Sequence, residues 1–389
     1  MSGSMVRGNQ GTENPMTLKI CHLISGDHWA GAEVMAFQLL SGLNTLPGID
    51  LFVILLNKGR LSDELQNAGV PTYVLDEGKQ SFLEITWLVT KAVRSWAPHS
   101  LHSHRYKENI LSYLVSLTLR KGASLVSTQH GMPEFYNGTP SLLHRLKSHT
   151  NYRLLATKFY RTVAVSSDIK QSLIRDYGFQ EERIETIRNG VVVPEVRDWA
   201  REKEDFVIGS AGRFVPVKDY PLMVEVAKEV SAIDHKIRFE LAGDGPMLGD
   251  IQGLIRKYGL ERRFMLRGFI PDVSAFYEGL AVYLNTSLHE GIPMSVLEAM
   301  AHGVPTVASR VGGLEEIVTD GVDGYLVNAR NPRDFAERCL SLYKNEPLRR
   351  NMARAAREKI VGQFSIERMV SAYLDVYMRA TATRGQRKH

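Results

Sequence analysis

The stretch His289-Glu-Gly-Ile-Pro-Met-Ser-Val-Leu-Glu-Ala-Met300, with apolar Ala281-Val-Tyr-Leu284 before it and Val304-Pro-Thr-Val-Ala308 after it, reads as strand, tight loop, helix and strand. Gly291 lets the chain turn sharply, Pro293 suits the first helical position, and Met294–Ala301 has the composition of a buried helix ended by Gly303. The helix start therefore faces the loop. Free N–H groups and the positive end of the helix dipole make such a start, Pro293-Met294-Ser295, a place for an anion such as phosphate. Glu290 stands just ahead of it, and Glu298 lies about one turn inside, roughly 6–8 Å along the axis at ~1.5 Å per residue. A ligand with hydroxyls on both sides of a diphosphate can use both carboxylates, one for each sugar ring, and a nucleotide-sugar is such a ligand. A Glu in a helix is ordinarily solvated or capping. Here Val296, Leu297, Ala299 and Met300 leave little polar face, so the Glu298 carboxylate needs a partner.

A Glu, seven residues, a second Glu and then Ala-Met-Ala-x-Gly-x-Pro-x-Val form a pattern met by Glu290, Glu298 and Ala299-Met-Ala-His-Gly-Val-Pro-Thr-Val307. It continues through Gly312-Gly-Leu-Glu-Glu-Ile-Val318 and Asp320-Gly-Val-Asp-Gly-Tyr-Leu-Val327. In these motifs the chain resembles glycosyltransferase family 4, the retaining GT-B-fold glycosyltransferases also grouped as glycosyl transferases group 1. The resemblance runs over most of the chain, from about Leu18 to Tyr377, with its specific motifs concentrated in the C-terminal half.

Length and composition agree with two soluble domains: 389 residues, 44% hydrophobic and 23% charged. The first fifteen residues are polar and Gly-rich without a signal-peptide core, and no apolar run reaches the ~20 residues of a membrane span. A cytoplasmic location is expected. Cys21 and Cys339, one in each half, suggest neither a disulfide framework nor a Cys-based metal site. A net charge of +5 suits phosphorylated substrates or an anionic membrane, and no groove-reading or base-stacking motif points to nucleic acid.

Along the chain, strand patterns at 18–24, 51–55, 72–75, 100–102, 124–127 and 162–165 alternate with helical ones, which implies a parallel sheet covered on both faces. The loop Ser25-Gly-Asp-His-Trp-Ala-Gly-Ala-Glu33 leads into the first helix, but Gly26 and Gly31 do not form a dinucleotide fingerprint. Nor do Gly243, Gly245 and Gly249, whose spacing is one residue too long. Polar clusters follow predicted strands, where open α/β sheets bind ligands: His102-Ser-His-Arg-Tyr-Lys107, Ser127-Thr-Gln-His-Gly131, and Gly212-Arg213 with Lys218. Between 135 and 167 there is no acidic residue, while Arg145, Lys147, Arg153, Lys158 and Arg161 alternate with Phe135, Tyr136, Tyr152, Phe159 and Tyr160. This segment is either a face for an anionic bilayer, on the inner side of the membrane, or a plain solvated helix.

The resemblance implies an α/β protein of two doubly wound Rossmann-like domains facing across a cleft. Residues 1–15 are expected to be disordered, 16–193 to form the N-terminal acceptor domain, 194–205 a linker, and 206–363 the C-terminal nucleotide-sugar domain. A helix at 364–380 is expected to cross back to the N-terminal domain, leaving a basic tail at 381–389. By the same resemblance the donor site comprises Gly31, Gly212, Arg213, Lys218, Phe269, Ile270, Glu290, Gly291, Ile292, Pro293, Met294, Ser295 and Glu298. Glu290, His130, Arg213 and Lys218 carry the chemistry, and His104 and Lys107 are acceptor candidates. Asp219 stands where the family commonly has the Gly after its Lys.

The activity implied is transfer of a hexosyl or N-acetylhexosaminyl group from a nucleotide-sugar, UDP before GDP, to a glycan or lipid-linked acceptor with retention. No Asp-x-Asp occurs, so no metal or other cofactor is expected. An epimerase or hydrolase on the same fold, or a non-catalytic scaffold binding sugar nucleotides, are the alternatives.

Overall fold

The computed structural model describes residues 17–26, 29–132, 142–195, 205–328 and 330–386. The terminus at 1–15, most of the linker, Phe135, Tyr136 and the last residues of the tail lie outside these. Seven strands form the first sheet: Leu18–Ile24 (β1), Ile49–Leu55 (β2), Thr72–Val74 (β3), Ser100–Ser103 (β4), Ser124–Gln129 (β5), Arg161–Ala164 (β6) and Ile184–Thr186 (β7). The second has six: Val207–Ala211 (β8), Arg238–Ala242 (β9), Phe264–Gly268 (β10), Val282–Asn285 (β11), Thr306–Ser309 (β12) and Gly324–Val327 (β13).

The orders are β3-β2-β1-β4-β5-β6-β7 and β10-β9-β8-β11-β12-β13, with parallel pairing throughout. Each strand sits between helices, so β1, β5, β11 and β12 are buried along nearly their whole length and read as continuous apolar or small-residue runs. In both sheets the order reverses at the first strand, between β1 and β4 and between β8 and β11. The carboxyl ends of strands at such a reversal leave a crevice for ligands.

The long helix Ile366–Gln386 presents Met369, Val370, Tyr373, Val376, Tyr377 and Ala380, all buried, at helical spacing. It packs on the first helix, Gly31–Asn44, so closely that a Cβ on Gly42 would lie 2.6 Å from Val370 Cγ2. Its start is pinned by the Asn189-Gly190 turn: Gly190 N–H meets Met369 Sδ at 3.2 Å, and a Cβ there would come within 2.5 Å of the Ser365 carbonyl. The helix also outruns its expected end at Ala380, and within its last turns Thr381 and Thr383 donate their hydroxyls to the Tyr377 and Arg379 carbonyls.

Two further expectations change. Pro293 is the N-cap, and the helix Met294–Ala301 begins one residue later. In the helix Leu142–Lys158, Tyr152 is buried, with its ring 4.0 Å from that of Tyr177, and Phe159 just beyond it is buried too. The Tyr152 ring packs on those of Tyr177 and Phe179, while Lys147, Arg153 and Lys158 remain exposed. No helix among the described residues is long and apolar enough to cross a membrane.

Candidate active site

At the reversal of the second sheet, β8 hands the chain to Gly212, Arg213 and Lys218, and β11 hands it to the loop ending in Glu290. Gly212 has φ 157°, and a Cβ on it would lie 2.7 Å from Tyr220 Oη. The space a side chain would take is held by the Tyr220 hydroxyl. Lys218 Nζ donates to Glu290 Oε1 at 2.7 Å, and Asn285 Nδ2 (3.3 Å) and Ser287 Oγ (2.6 Å) donate to the same oxygen. Glu290 is only 8% exposed, and these three donors satisfy its buried oxygen. Arg213 is exposed nearby in sequence.

Asp219 adopts the left-handed conformation, φ 46°, that the usual Gly would supply. Asp tolerates this region better than most residues. Its buried carboxylate takes both arms of the Arg330 fork, one at 2.7 Å, while Thr286 Oγ1 donates to the Lys218 and Asp219 carbonyls at 3.1 and 3.0 Å. The turn carrying Lys218 is thus clamped by an ion pair.

Four residues after Glu290, two helices meet start to start. Val296 and Leu297 donate to the Pro293 carbonyl, so the N–H groups of Met294 and Ser295 precede the first intrahelical bonds. The helix Gly31–Asn44 begins opposite, where a Cβ on Gly31 would meet Met294 Cγ at 3.7 Å. Two positive dipole ends converge, which suits a doubly charged group. The buried Glu33 already serves the first helix, accepting from Ala30 N–H at 3.1 Å and pairing with Arg105.

The loop at Gly291 closes against the first sheet. A Cβ on Gly291 would lie 2.6 Å from the His130 carbonyl, so only glycine lets the two edges approach this closely. Gly312, φ 51°, and Gly313 cradle the same loop, and Gly313 N–H donates to the Glu290 carbonyl at 3.0 Å. Asn189 Nδ2 holds the Ile292 carbonyl at 2.8 Å, and Glu316 accepts from Ser167 N–H at 2.5 Å and Arg188 Nε at 2.8 Å. These bonds tie the two sheets together beside the site.

His130 follows β5, and its Nε2 lies 3.1 Å from His104 Nδ1. Burial pushes its pKa down to about 3, with the Arg105 charge acting in the same direction, so the ring is neutral. His104 is itself buried between His22 and His130, and Lys107 pairs with Glu77 in a half-exposed position. Glu298 takes a 2.8 Å bond from Tyr277 Oη. Burial nevertheless raises its pKa to about 7, outweighing that bond. Phe269 is 55% exposed, with the Arg60 guanidinium 4.9 Å from its ring centre and 4.7 Å from that of Trp29, and Ile270 is partly buried.

Asn285, Ser287, Tyr277, Arg330 and His22 are neighbours of these residues that sequence reasoning did not single out, and His102 entered it only as the first residue of its polar cluster. Ser287, three residues before Glu290 on the same loop, is the one that spacing could have suggested. Asn285 ends β11 five residues before Glu290, and the remaining ones come from elements more distant in sequence.

Residues 29–193 match the family model described as Glycosyltransferase Family 4, and residues 194–359 match that of Glycosyl transferases group 1. The chain is 30% identical to a poly(ribitol-phosphate) alpha-N-acetylglucosaminyltransferase of Staphylococcus aureus, over 51% of this chain and only 40% of that protein. It is 28% identical to the N-acetyl-alpha-D-glucosaminyl L-malate synthase of Bacillus anthracis, over 71% of this chain and 74% of that one. The structure of Anabaena HepE solved with UDP-glucose shares the fold, with a TM-score of 0.80 at 19% identity, covering 93% of this chain and 100% of the other.

Proposed function

Because the chain belongs to the Family 4 and group 1 glycosyltransferases and has their GT-B fold, we propose that it transfers a hexosyl or N-acetylhexosaminyl group from a UDP-sugar, with retention and without a metal ion. The observation carrying this reading is the Lys218–Glu290 pair set at a sheet reversal beneath two converging helix starts. Breaking the sugar–phosphate bond develops negative charge on the leaving diphosphate. Preorganised cations and N–H dipoles stabilise such charge more in the transition state than in the ground state.

Lys218, Arg213 and the N–H groups of Met294 and Ser295 fill that role, with Gly31 leaving room for the phosphates. Once Lys218 turns toward phosphate, Asn285 and Ser287 still hold Glu290 Oε1, and the carboxylate faces the positive charge growing on the sugar ring. Glu298 accepts from the ribose hydroxyls, Phe269 and Ile270 border the base, and neutral His130 orients a sugar or acceptor hydroxyl. The leaving phosphate accepts the acceptor proton on the same face, which gives retention. Fixed cations and helix dipoles supply the electrostatic work that a bridging metal performs elsewhere.

The acceptor is proposed to be a glycan or a lipid-linked hydroxyl compound. The Staphylococcus and Bacillus relatives, named for a polymeric and a small hydroxy-acid acceptor, support a hydroxyl as the attacking group. Docking on an anionic membrane would rest on Lys147, Arg153 and Lys158, without aromatic help. Incubation with UDP-sugars and hydroxyl acceptors in excess chelator, with the product anomer read by NMR, tests the proposal. An α-linked product from an α-linked donor is expected; an inverted product, or one made only when divalent metal is restored, would refute it.

A further inference from the structure

Three buried histidines, the half-buried His130 and two buried tyrosines form one continuous hydrogen-bonded chain behind the site. Tyr373 Oη lies 2.9 Å from Thr128 Oγ1, which lies 2.9 Å from His102 Nε2. His102 Nδ1 and His22 Nε2 both reach Tyr377 Oη, at 2.5 and 3.1 Å. His22 Nδ1 is 3.1 Å from His104 Nε2, and His104 Nδ1 is 3.1 Å from His130 Nε2. His130 Nδ1, at the end of the chain, is buried and has no partner among the described residues. The rings come from β1, β4 and the loops after β4 and β5, while the tyrosines stand one turn apart on the crossing helix Ile366–Gln386.

The proton count on this chain is restrictive. A neutral imidazole has one N–H and one bare nitrogen. Tyr377 has a single hydroxyl proton between two imidazoles, so it donates to one and accepts an N–H from the other. If it donates to His102, then His22 donates from Nε2, His104 from Nε2 and His130 from Nε2, leaving His130 Nδ1 bare. If it donates to His22, every bond reverses and His130 Nδ1 carries the proton. Conversion between the two states needs one proton to enter at His130 Nδ1 and one to leave at Tyr373 Oη, so the total is unchanged. Tyr373 is fully buried, which makes that exchange slow compared with an isolated histidine.

We propose that this chain is a tautomer lock, in which Tyr377 on the crossing helix determines whether His130 Nδ1 is a donor or an acceptor. Tyr377 is then a positioning residue acting through His22 and His104. The consequence for transfer rests on the function proposed above, because a sugar or acceptor hydroxyl at His130 meets a ring whose polarity is coupled to the way the Tyr377 hydroxyl points. The lock itself does not depend on that reading. His22, His102 and His104 also bring ligand-capable nitrogens within 4.8 Å of one another, as a metal site would. Yet both ring nitrogens of each of these three histidines already have a hydrogen-bond partner, and a metal would have to break several of these bonds.

Long-range 1H–15N correlation spectra of the full-length protein labelled with 15N-histidine, at neutral pH and without substrate, test the lock. His130, assigned through His130→Gln, is expected to show one neutral tautomer. Folded Tyr377→Phe should lose this single signature and show both tautomers. Thr128→Val should do the same from the far end, and Thr128→Ser should restore it. A lower melting temperature with an unchanged His130 signature in both Tyr377→Phe and Thr128→Val would overturn the proposal. So would stoichiometric zinc in the purified protein that the spectra place on these rings. Loss of the lock without loss of UDP binding would separate its failure or success from that of the transferase reading.

Discussion

Lys218 and Glu290 neutralise one another in a site where each is mostly enclosed, with side-chain exposures of 22% and 10%. Lys218→Ala leaves Glu290 with Asn285 and Ser287 as donors, so its stability cost should fall below the ~3–5 kcal/mol of a broken, fully buried pair. Transfer should fall far more, by about 10²–10³ in kcat, the effect of removing one preorganised donor from a developing anion. Circular dichroism alongside a transfer assay checks the combination; near-normal turnover by folded Lys218→Ala would contradict the role given to it. Glu298 adds a pH dependence. Its pKa of about 7 means that the carboxylate is mostly protonated at pH 6 and mostly ionised at pH 8, and only the ionised form accepts from both ribose hydroxyls. UDP affinity should rise about tenfold between those pH values and lose this dependence in Glu298→Gln, as measured by calorimetry. A flat wild-type profile would remove Glu298 from the ribose.

The meeting of two helix starts is a property of elements. Gly31→Ala adds a methyl group that meets Met294 Cγ at ordinary van der Waals distance, so the melting temperature should hold. The same methyl narrows the slot between the two dipole ends, and transfer should drop by about 10²-fold through misplacement of the diphosphate; equal losses of stability and activity would point to packing alone. The turn before the helix Tyr220–Ser231 is a second case. Arg330→Ala strands the buried Asp219 carboxylate and should destabilise, while Asp219→Gly in the same chain should recover most of the loss, since Gly takes φ 46° freely. Denaturant midpoints of the single and double variants decide it. Much of this level was legible in advance. Alternating strands, Gly303 at a helix end and the position of Lys218 followed from local pattern. Pro293 was displaced by one position because its carbonyl, bonded by Val296 and Leu297, acts as the cap. The inward turn of Tyr152 and Phe159 was not legible, because a basic helix with aromatics gives no local sign of which face the sheet will claim. Neither was the histidine chain, since His22, His102 and Tyr377 are joined only by the pairing of β1 with β4 and the return of the last helix.

At the scale of the molecule, that chain makes the fold sensitive to acid. His22 and His130 have pKa values lowered to about 3 by burial, and those of His102 and His104 are also well below the ordinary value. Between pH 6.5 and 3 the unfolded chain binds protons that the native state excludes, so stability falls with pH by up to ~1.4 kcal/mol per unit for each histidine. Glu298 opposes this, since its raised pKa makes the native state hold a proton between about 4.5 and 7, and burial raises the pKa of Glu108 in the same sense, but these are two groups against four. Urea midpoints should therefore drop clearly from pH 7.5 to 5.5 with an unchanged slope, and equal midpoints would refute the neutral-histidine interior. The two sheets, the crossing helix and the bonds through Gly291, Asn189 and Glu316 bring the cleft together as a unit. The central property proposed for it is recognition of a nucleoside diphosphate by fixed protein charge. The most direct test is the melting temperature with UDP in excess chelator, for the wild-type chain and for Lys218→Ala. A UDP-dependent rise in the wild type, strongly reduced in the variant, is the predicted result; no rise until divalent metal is added, or an equal rise in both proteins, would contradict it.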